Sequence, residues 1–172
     1  VPDAFAPPAS SSTLFVYGGP LAEAIRRFKY HGRTEIAPAL GQLLSGAVLP
    51  YVGRVDLVMP VPLYPSRLRA RGFNQAALLA KPVARRLGLP LDVMALGRIR
   101  DTAEQAGITR AERALNVKGA FVARAPRRPS RVLLIDDVRT TGATLAAASE
   151  ALLNAGYSSV HVLALAGAIP RQ

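Results

Sequence analysis

The chain alternates short apolar runs with segments whose apolar positions recur at helical spacing. LAEAIRRFKY (Leu21–Tyr30) places residues 21, 24, 25 and 28 on one helical face, and Gly32 follows as a stop. A second helix is predicted over Pro38–Val48. VDLVMPVP (Val55–Pro62) is a short apolar run closed by two prolines, which reads as a buried strand. Asn74 is placed to cap a helix toward Leu87, ended by Gly88, with Pro82 kinking it or forcing a restart. A short strand is predicted near Leu91–Ala95. GRIRDTAEQAGITRAERALN then breaks the pattern: it is highly polar, and only Arg110–Leu115 is periodic enough for a helix. Polar stretches of this length inside a compact domain are usually functional or disordered. Beyond it come a strand at Ala120–Ala123, a basic turn, a strand at Val132–Ile135, a helix over Ala143–Ala155 closed by Gly156, and a strand at Val160–Ala166. Strands alternating with helices predict an α/β fold built on a mostly parallel, twisted sheet flanked by helices.

Composition adds limits. The 172 residues suit one domain, and half of them are hydrophobic. Residues 1–13, rich in Ala, Pro and Ser, read as a flexible tail or the end of a linker, leaving 14–172 as the domain. They lack the basic and apolar regions of a signal peptide and open without an initiator Met, as a fragment of a longer chain does. Two stretches free of charged residues, Ile36–Gly53 and Ala151–Pro170, contain Pro, Gly and polar residues and change period partway, so no membrane insertion is expected. The absence of cysteine excludes disulfides and thiolate zinc sites. The net charge of +11 is concentrated: Arg54–Arg131 carries 16 Lys/Arg against 5 Asp/Glu, while the remainder has 6 of each. Such a field attracts phosphorylated small molecules, pyrophosphate or nucleic acid, or it is simply a solvated basic surface.

RVLLIDDVRTTGATL (Arg131–Leu145) carries the chemistry. Ligands of parallel sheets bind outside the carboxyl ends of the strands, where loops lead into helix N-termini. Thr140, Thr141 and Thr144 offer hydroxyls, Gly142 lets the backbone approach, and the following helix points its free N–H groups at the loop, which suits a phosphate. Asp136 and Asp137 need a partner other than phosphate. Ionised carboxylates are pure acceptors and suit the hydroxyls of a vicinal diol, so phosphate beside diol points to a ribose 5-phosphate. The signatures GxxxxGK[ST] and GxGxxG are both absent.

LLIDDVRTTGATL resembles the phosphoribosyl-diphosphate (PRPP) signature of type I phosphoribosyltransferases. FKYHG (Phe28–Gly32), VMPVPLYPSRLRARGFNQ (Val58–Gln75) and RIRDTAEQAGITRAERALNVKGAF (Arg98–Phe121) precede it in the order seen in the ComF family, also called the competence protein F or GntX-like family. The resemblance covers roughly Tyr17–Ala166. It implies the type I phosphoribosyltransferase fold with a mobile lid loop, and transfer of a phosphoribosyl group from PRPP to a nucleobase or related amine with release of pyrophosphate. By the same resemblance, Asp136 and Asp137 bind the ribose hydroxyls, while Thr140, Thr141, Gly142, Ala143 and Thr144 hold the 5′-phosphate. Arg71 and Gly72, with Phe73 and Asn74, lie at the pyrophosphate turn, and Arg98, Gln105, Arg110 and Arg113 belong to the lid. Arg71, Arg98 and Arg110 are the candidates for neutralising the leaving group. The protein itself is expected to hold no metal; Mg²⁺ is expected to arrive with PRPP, with Asp136 and Asp137 as its nearest ligands.

Members of the family commonly begin with a four-cysteine zinc ribbon, so here the ribbon is either removed or missing from this branch. The family name also opens a non-catalytic role, as a PRPP- or nucleic-acid-binding accessory protein in DNA uptake, with single-stranded DNA or competence proteins as partners. A cytoplasmic location is expected, and oligomerisation stays open. Of the remaining candidates, Lys29 and Tyr30 are placed to reach the site from the first helix, although a snorkelling Lys and a core-edge Tyr are the roles expected first; His161 is expected to be a plain strand residue, and Glu104 and Glu112 to be surface charges. His31 has no metal partners in sequence.

Overall fold

The computed structural model describes residues 8–30, 32–102 and 110–168, without the side chains of residues 110, 111, 113 and 114. Twelve strands and α-helices follow one another among the described residues: β1 (Ser10–Val16), α1 (Gly19–Tyr30), α2 (Ala37–Ser45), β2 (Leu57–Pro60), α3 (Pro65–Arg71), α4 (Gln75–Leu87), β3 (Leu96–Arg98), α5 (Arg110–Val117), β4 (Phe121–Ala123), β5 (Arg131–Arg139), α6 (Ala143–Asn154) and β6 (Ser159–Gly167). One sheet has the order β1-β6-β5-β2, with every pair parallel, and β3 and β4 form a separate antiparallel ribbon.

Parallel strands need both faces covered, and the alternation along β5 shows how that is met. Leu133 and Ile135 join Val58, Leu163 and Leu165 in a core with α1, α2 and α4, where Ile25, Phe28, Leu44, Leu79 and Val83 are buried. Val132 and Leu134 join Met59, Val160 and Val162 in a second core with α6 and the ribbon, around Leu145, Leu152 and Phe121. The continuous apolar reading of β5 thus reflects burial on both sides. Among the described residues no helix is long and apolar enough to cross a membrane.

Several elements differ from the sequence expectation. Ser10–Thr13, read as tail, belong to β1, which pairs with β6 from Ser10↔His161 to Val16↔Gly167. An edge strand is solvated on one side, so a Ser-rich run can pair through its backbone while keeping a tail-like composition. The helix α3 was not expected: none of its residues is buried, so it carries no apolar stripe, and it begins on Pro65 and ends at Gly72 with φ 83°. The strand expected at Leu91–Ala95 is a single parallel bridge from Leu91 to Val58. Just after it the Asp92 carboxylate accepts from the N–H groups of Met94 and Ala95 and turns the chain toward β3.

Helix α4 begins as expected, with the Asn74 side chain accepting from the Ala76 N–H at 3.0 Å, but it runs through Pro82 instead of restarting there. The proline ring lies against Gly41 of α2, where an added Cβ would fall 2.4 Å from Pro82 Cγ. Glycine at 41 is therefore what lets the two helices pack around the proline. Gly41→Ala is expected to destabilise the fold by about 1–3 kcal/mol, as overpacking does. Urea unfolding checks this, and an unchanged midpoint would contradict the close approach.

Candidate functional site

A cleft of about 440 Å³ opens at the carboxyl edge of the main sheet. Its floor is the end of β5, where the sequence expectation needs correcting: the acids do not follow the strand, they are inside it. Asp136 pairs with Ala164, and Val138 and Arg139 continue the ladder with Ala166 and Gly167. The strand runs past its apolar segment because β6 keeps offering backbone partners as far as Gly167. Consecutive strand residues point to opposite faces. Asp137 accordingly shares the α1/α4 side with Leu133 and Ile135, and Asp136 the α6 side with Val132 and Leu134.

Both acids are buried, at 8% and 2% exposure. Buried carboxylates need partners, and Asp137 has them from two helices. Lys29, in the last turn of α1, places Nζ 2.7 Å from Asp137 Oδ2. Gln75, the first residue of α4, points Nε2 at Asp137 Oδ1, 3.5 Å away. Lys29 therefore does not snorkel; its side chain is only 14% exposed and its charge is turned inward. The reason lies in α1, which buries Ile25 and Phe28 against the sheet and stacks Phe28 on Phe73, bringing residue 29 to the cleft. Asp136 Oδ1 accepts the Asp137 backbone N–H at 2.9 Å. Burial first, and then the neighbouring Asp137 charge, push the Asp136 carboxyl well above the usual carboxylate range, with Lys29 opposing.

One wall of the cleft is the loop into α6. Gly142 adopts φ 82°, a left-handed conformation open to glycine, and serves as the N-cap with no side-chain cap of its own. The leading N–H groups of α6 are thus left for an external acceptor, helped by the hydroxyls of Thr140, Thr141 and Thr144 at the cleft. The Thr141 Oγ1 contact to the Ala143 N–H, at 3.4 Å, competes for one of them.

The other wall is basic. Arg71 donates from Nη1 to Gln75 Oε1 at 2.5 Å, and its guanidinium lies 5.5 Å from the Tyr30 ring centroid. Tyr30 is 62% exposed, at the rim of the cleft and not at the core edge. Gly72 does not line the cleft; it ends α3, after which Asn74 anchors to the Val61 carbonyl and fixes the turn. Arg98 sits over Phe121 and bonds the Thr102 hydroxyl. Arg67, which the sequence reading passed over, reaches the cleft paired with Asp101 at 2.9 Å and bonded to the Thr102 carbonyl. Its signal was the spacing of four from Arg71 on α3.

The side chains of Arg110 and Arg113, and residues Glu104, Gln105 and His31, lie outside the described residues. His161 is a strand residue as expected, its Nδ1 2.8 Å from Ser10 Oγ. Glu112 is exposed on α5.

The raised Asp136 carboxyl makes a pH prediction. The folded protein holds that proton more tightly than the unfolded chain does, so the associated stability is present at acid pH and is lost as pH rises through the raised value. Asparagine is neutral throughout. The melting temperature of Asp136→Asn relative to the parent should therefore climb as pH goes from about 4 to 8, starting near an ordinary Asp pKa; a constant or falling difference would contradict the burial argument.

Residues 74–171 match the phosphoribosyl transferase domain. The chain is 37% identical over 158 residues to the DNA utilization protein YhgH of Escherichia coli, covering 89% of this chain and 70% of that protein. It is 35% identical over 160 residues to competence protein F of Haemophilus influenzae, covering 88% and 70%. Among solved structures, the allosteric regulatory enzyme of purine biosynthesis superposes with a TM-score of 0.54 at 20% identity, over 81% of this chain and 29% of that one. That likeness shows the fold, a type I phosphoribosyltransferase sheet with its flanking helices. With the signature on β5 and its cleft in place, the chain belongs to the phosphoribosyl transferase domain family, in the ComF-like group that includes competence protein F and YhgH.

Proposed function

We propose that the cleft binds PRPP and that the protein transfers its phosphoribosyl group to a nitrogen nucleophile of a nucleobase or related amine. One observation carries this reading: a buried acid pair and an uncapped helix N-terminus share a single cleft with a wall of three arginines, Arg67, Arg71 and Arg98. A ribose 5-phosphate bearing a 1-diphosphate has the complementary pattern of diol, phosphate and polyanion. In the proposed reaction the nitrogen lone pair forms the new C1–N bond as the C1–O bond breaks, the C1–O electron pair leaves with pyrophosphate, and the proton of the attacking nitrogen passes to water. Arg71 and Arg98 would stabilise the departing charge, in the manner of preorganised cations at a polyanionic leaving group.

The residues present fit Mg²⁺ as an ion brought by the substrate. Among the described residues no three His, Cys, Asp or Glu side chains gather as a metal site, and Asp136 and Asp137 are the acids lining the cleft. Mg²⁺ commonly binds through one or two carboxylates plus substrate phosphates, and here it would offset the diphosphate charge.

A second reading, an accessory protein of DNA uptake that binds PRPP or nucleic acid without turnover, draws on the names of the relatives. It also draws on the exposed arginines outside the cleft, Arg54, Arg124, Arg127 and Arg128.

PRPP with Mg²⁺ at about one hundred times its Kd should raise the melting temperature by about 5–10 °C. Asp136→Asn with Asp137→Asn should abolish the rise, and a full rise in the double variant would sink the ribose assignment. Pyrophosphate release from PRPP, followed across a panel of bases, separates the two readings. Release with one base that falls about 100-fold or more in Arg71→Ala supports transfer; binding without release from any base favours the accessory role.

A further inference from the structure

The two halves of the cleft are joined by side chains that the PRPP reading leaves without a task. Gln75 is the junction. It is 6% exposed, held as the first residue of α4 by the Asn74 cap, and uses both ends of its amide. Its Oε1 accepts from Arg71 Nη1 at 2.5 Å, and its Nε2 points at Asp137 Oδ1 at 3.5 Å. Beyond Asp137 the path continues to Lys29 at 2.7 Å. Arg71 belongs to the basic wall and Asp137 to the acid floor, so a single buried amide spans the gap between the groups suited to a diphosphate and those suited to ribose hydroxyls.

Glutamine is the side chain that can do this. Its amide accepts from a cation at one end and donates to a carboxylate at the other, without adding charge to a buried position. A glutamate would repel Asp137, and a lysine would repel Arg71. The contacts are also unequal: the Arg71 side is short, while the Asp137 side is at the long limit of a hydrogen bond. A ligand that draws either end into place takes up the slack for the other.

We propose that Gln75 is a positioning residue that couples the two halves of the cleft, so that filling the ribose half strengthens binding in the diphosphate half and the reverse. The proposal rests on the PRPP reading and adds to it a residue and a cooperative device. Coupling of this kind is reciprocal, and a factor on the order of five is within the usual range. It also serves specificity, because a ligand carrying only one half recruits only half the site.

The test uses ribose 5-phosphate and pyrophosphate as separate probes in Mg²⁺, titrated calorimetrically alone and together. In the parent protein, saturating ribose 5-phosphate should lower the Kd for pyrophosphate about five-fold. In Gln75→Leu the factor should fall to about one, whatever the affinity of each probe alone. Gln75→Glu is the second variant: it keeps an acceptor for Arg71, loses the donor to Asp137, and should also lose the coupling. It keeps the test decisive if the leucine variant does not fold. A coupling factor retained in either folded variant, or no coupling in a parent that binds both probes, would overturn the role of Gln75 and leave the PRPP reading intact. Failure of the parent to bind PRPP and both probes would overturn the two together.

Discussion

Two carboxylates sit side by side within a strand buried on both faces, and the rest of the site is arranged to make that tolerable. An isolated buried charge is expensive, and two adjacent ones add mutual repulsion. The chain divides the problem by the pleat. Asp137 faces α1 and α4, where Lys29 and Gln75 engage it, and Asp136 faces α6 with its carboxyl driven toward the protonated form. The docking of α1 serves this, because burying Ile25 and Phe28 against the sheet brings Lys29 onto Asp137. Breaking that pair would leave a buried carboxylate without its cation, a loss that in other proteins costs about 3–5 kcal/mol. The arrangement is weak evidence for stability, since an apolar pair would pack there at lower cost, and it marks the acids as a candidate ligand site.

The parallel sheet explains why the other components meet these acids. β5 and β2 end on the same edge, so the loop from β5 into α6 and the turn from β2 through α3 into α4 face each other across the cleft. One contributes helix N–H groups and threonine hydroxyls, the other arginines. Gly142 and Gly72, both with left-handed backbones, mark where each segment turns. The cleft is polarised as a result, with an acid floor, an anion-accepting loop and a cationic wall. That division is complementary to the diol, phosphate and diphosphate of the proposed ligand.

Much of this was legible in the chain. The β5 signature showed in sequence because strand, acids, hydroxyls and glycine are contiguous, and the Asn74 cap showed because capping is local. What escaped was set by tertiary contact. Lys29 looks like any helical lysine until α1 is docked, and Gln75 becomes a junction only when α3, α4 and β5 converge. Helix α3 buries nothing, so no hydrophobic period announces it. The acids seemed to lie beyond the strand because their polarity ends the apolar run, whereas the strand's extent is decided by the backbone partners that β6 offers. Pro82 left a kink or a restart open because the sequence does not reveal that Gly41 lies opposite it.

The central claim is that Asp136 and Asp137 hold the ribose of PRPP from within the strand. A crystal structure of the protein with PRPP and Mg²⁺ tests it most directly. The account predicts the ribose 2′- and 3′-hydroxyls within hydrogen-bond reach of the two carboxylates, the 5′-phosphate over the Thr140–Thr144 loop and the diphosphate facing Arg71. A ligand seated elsewhere, or one in this cleft whose ribose hydroxyls turn away from both acids, would contradict it.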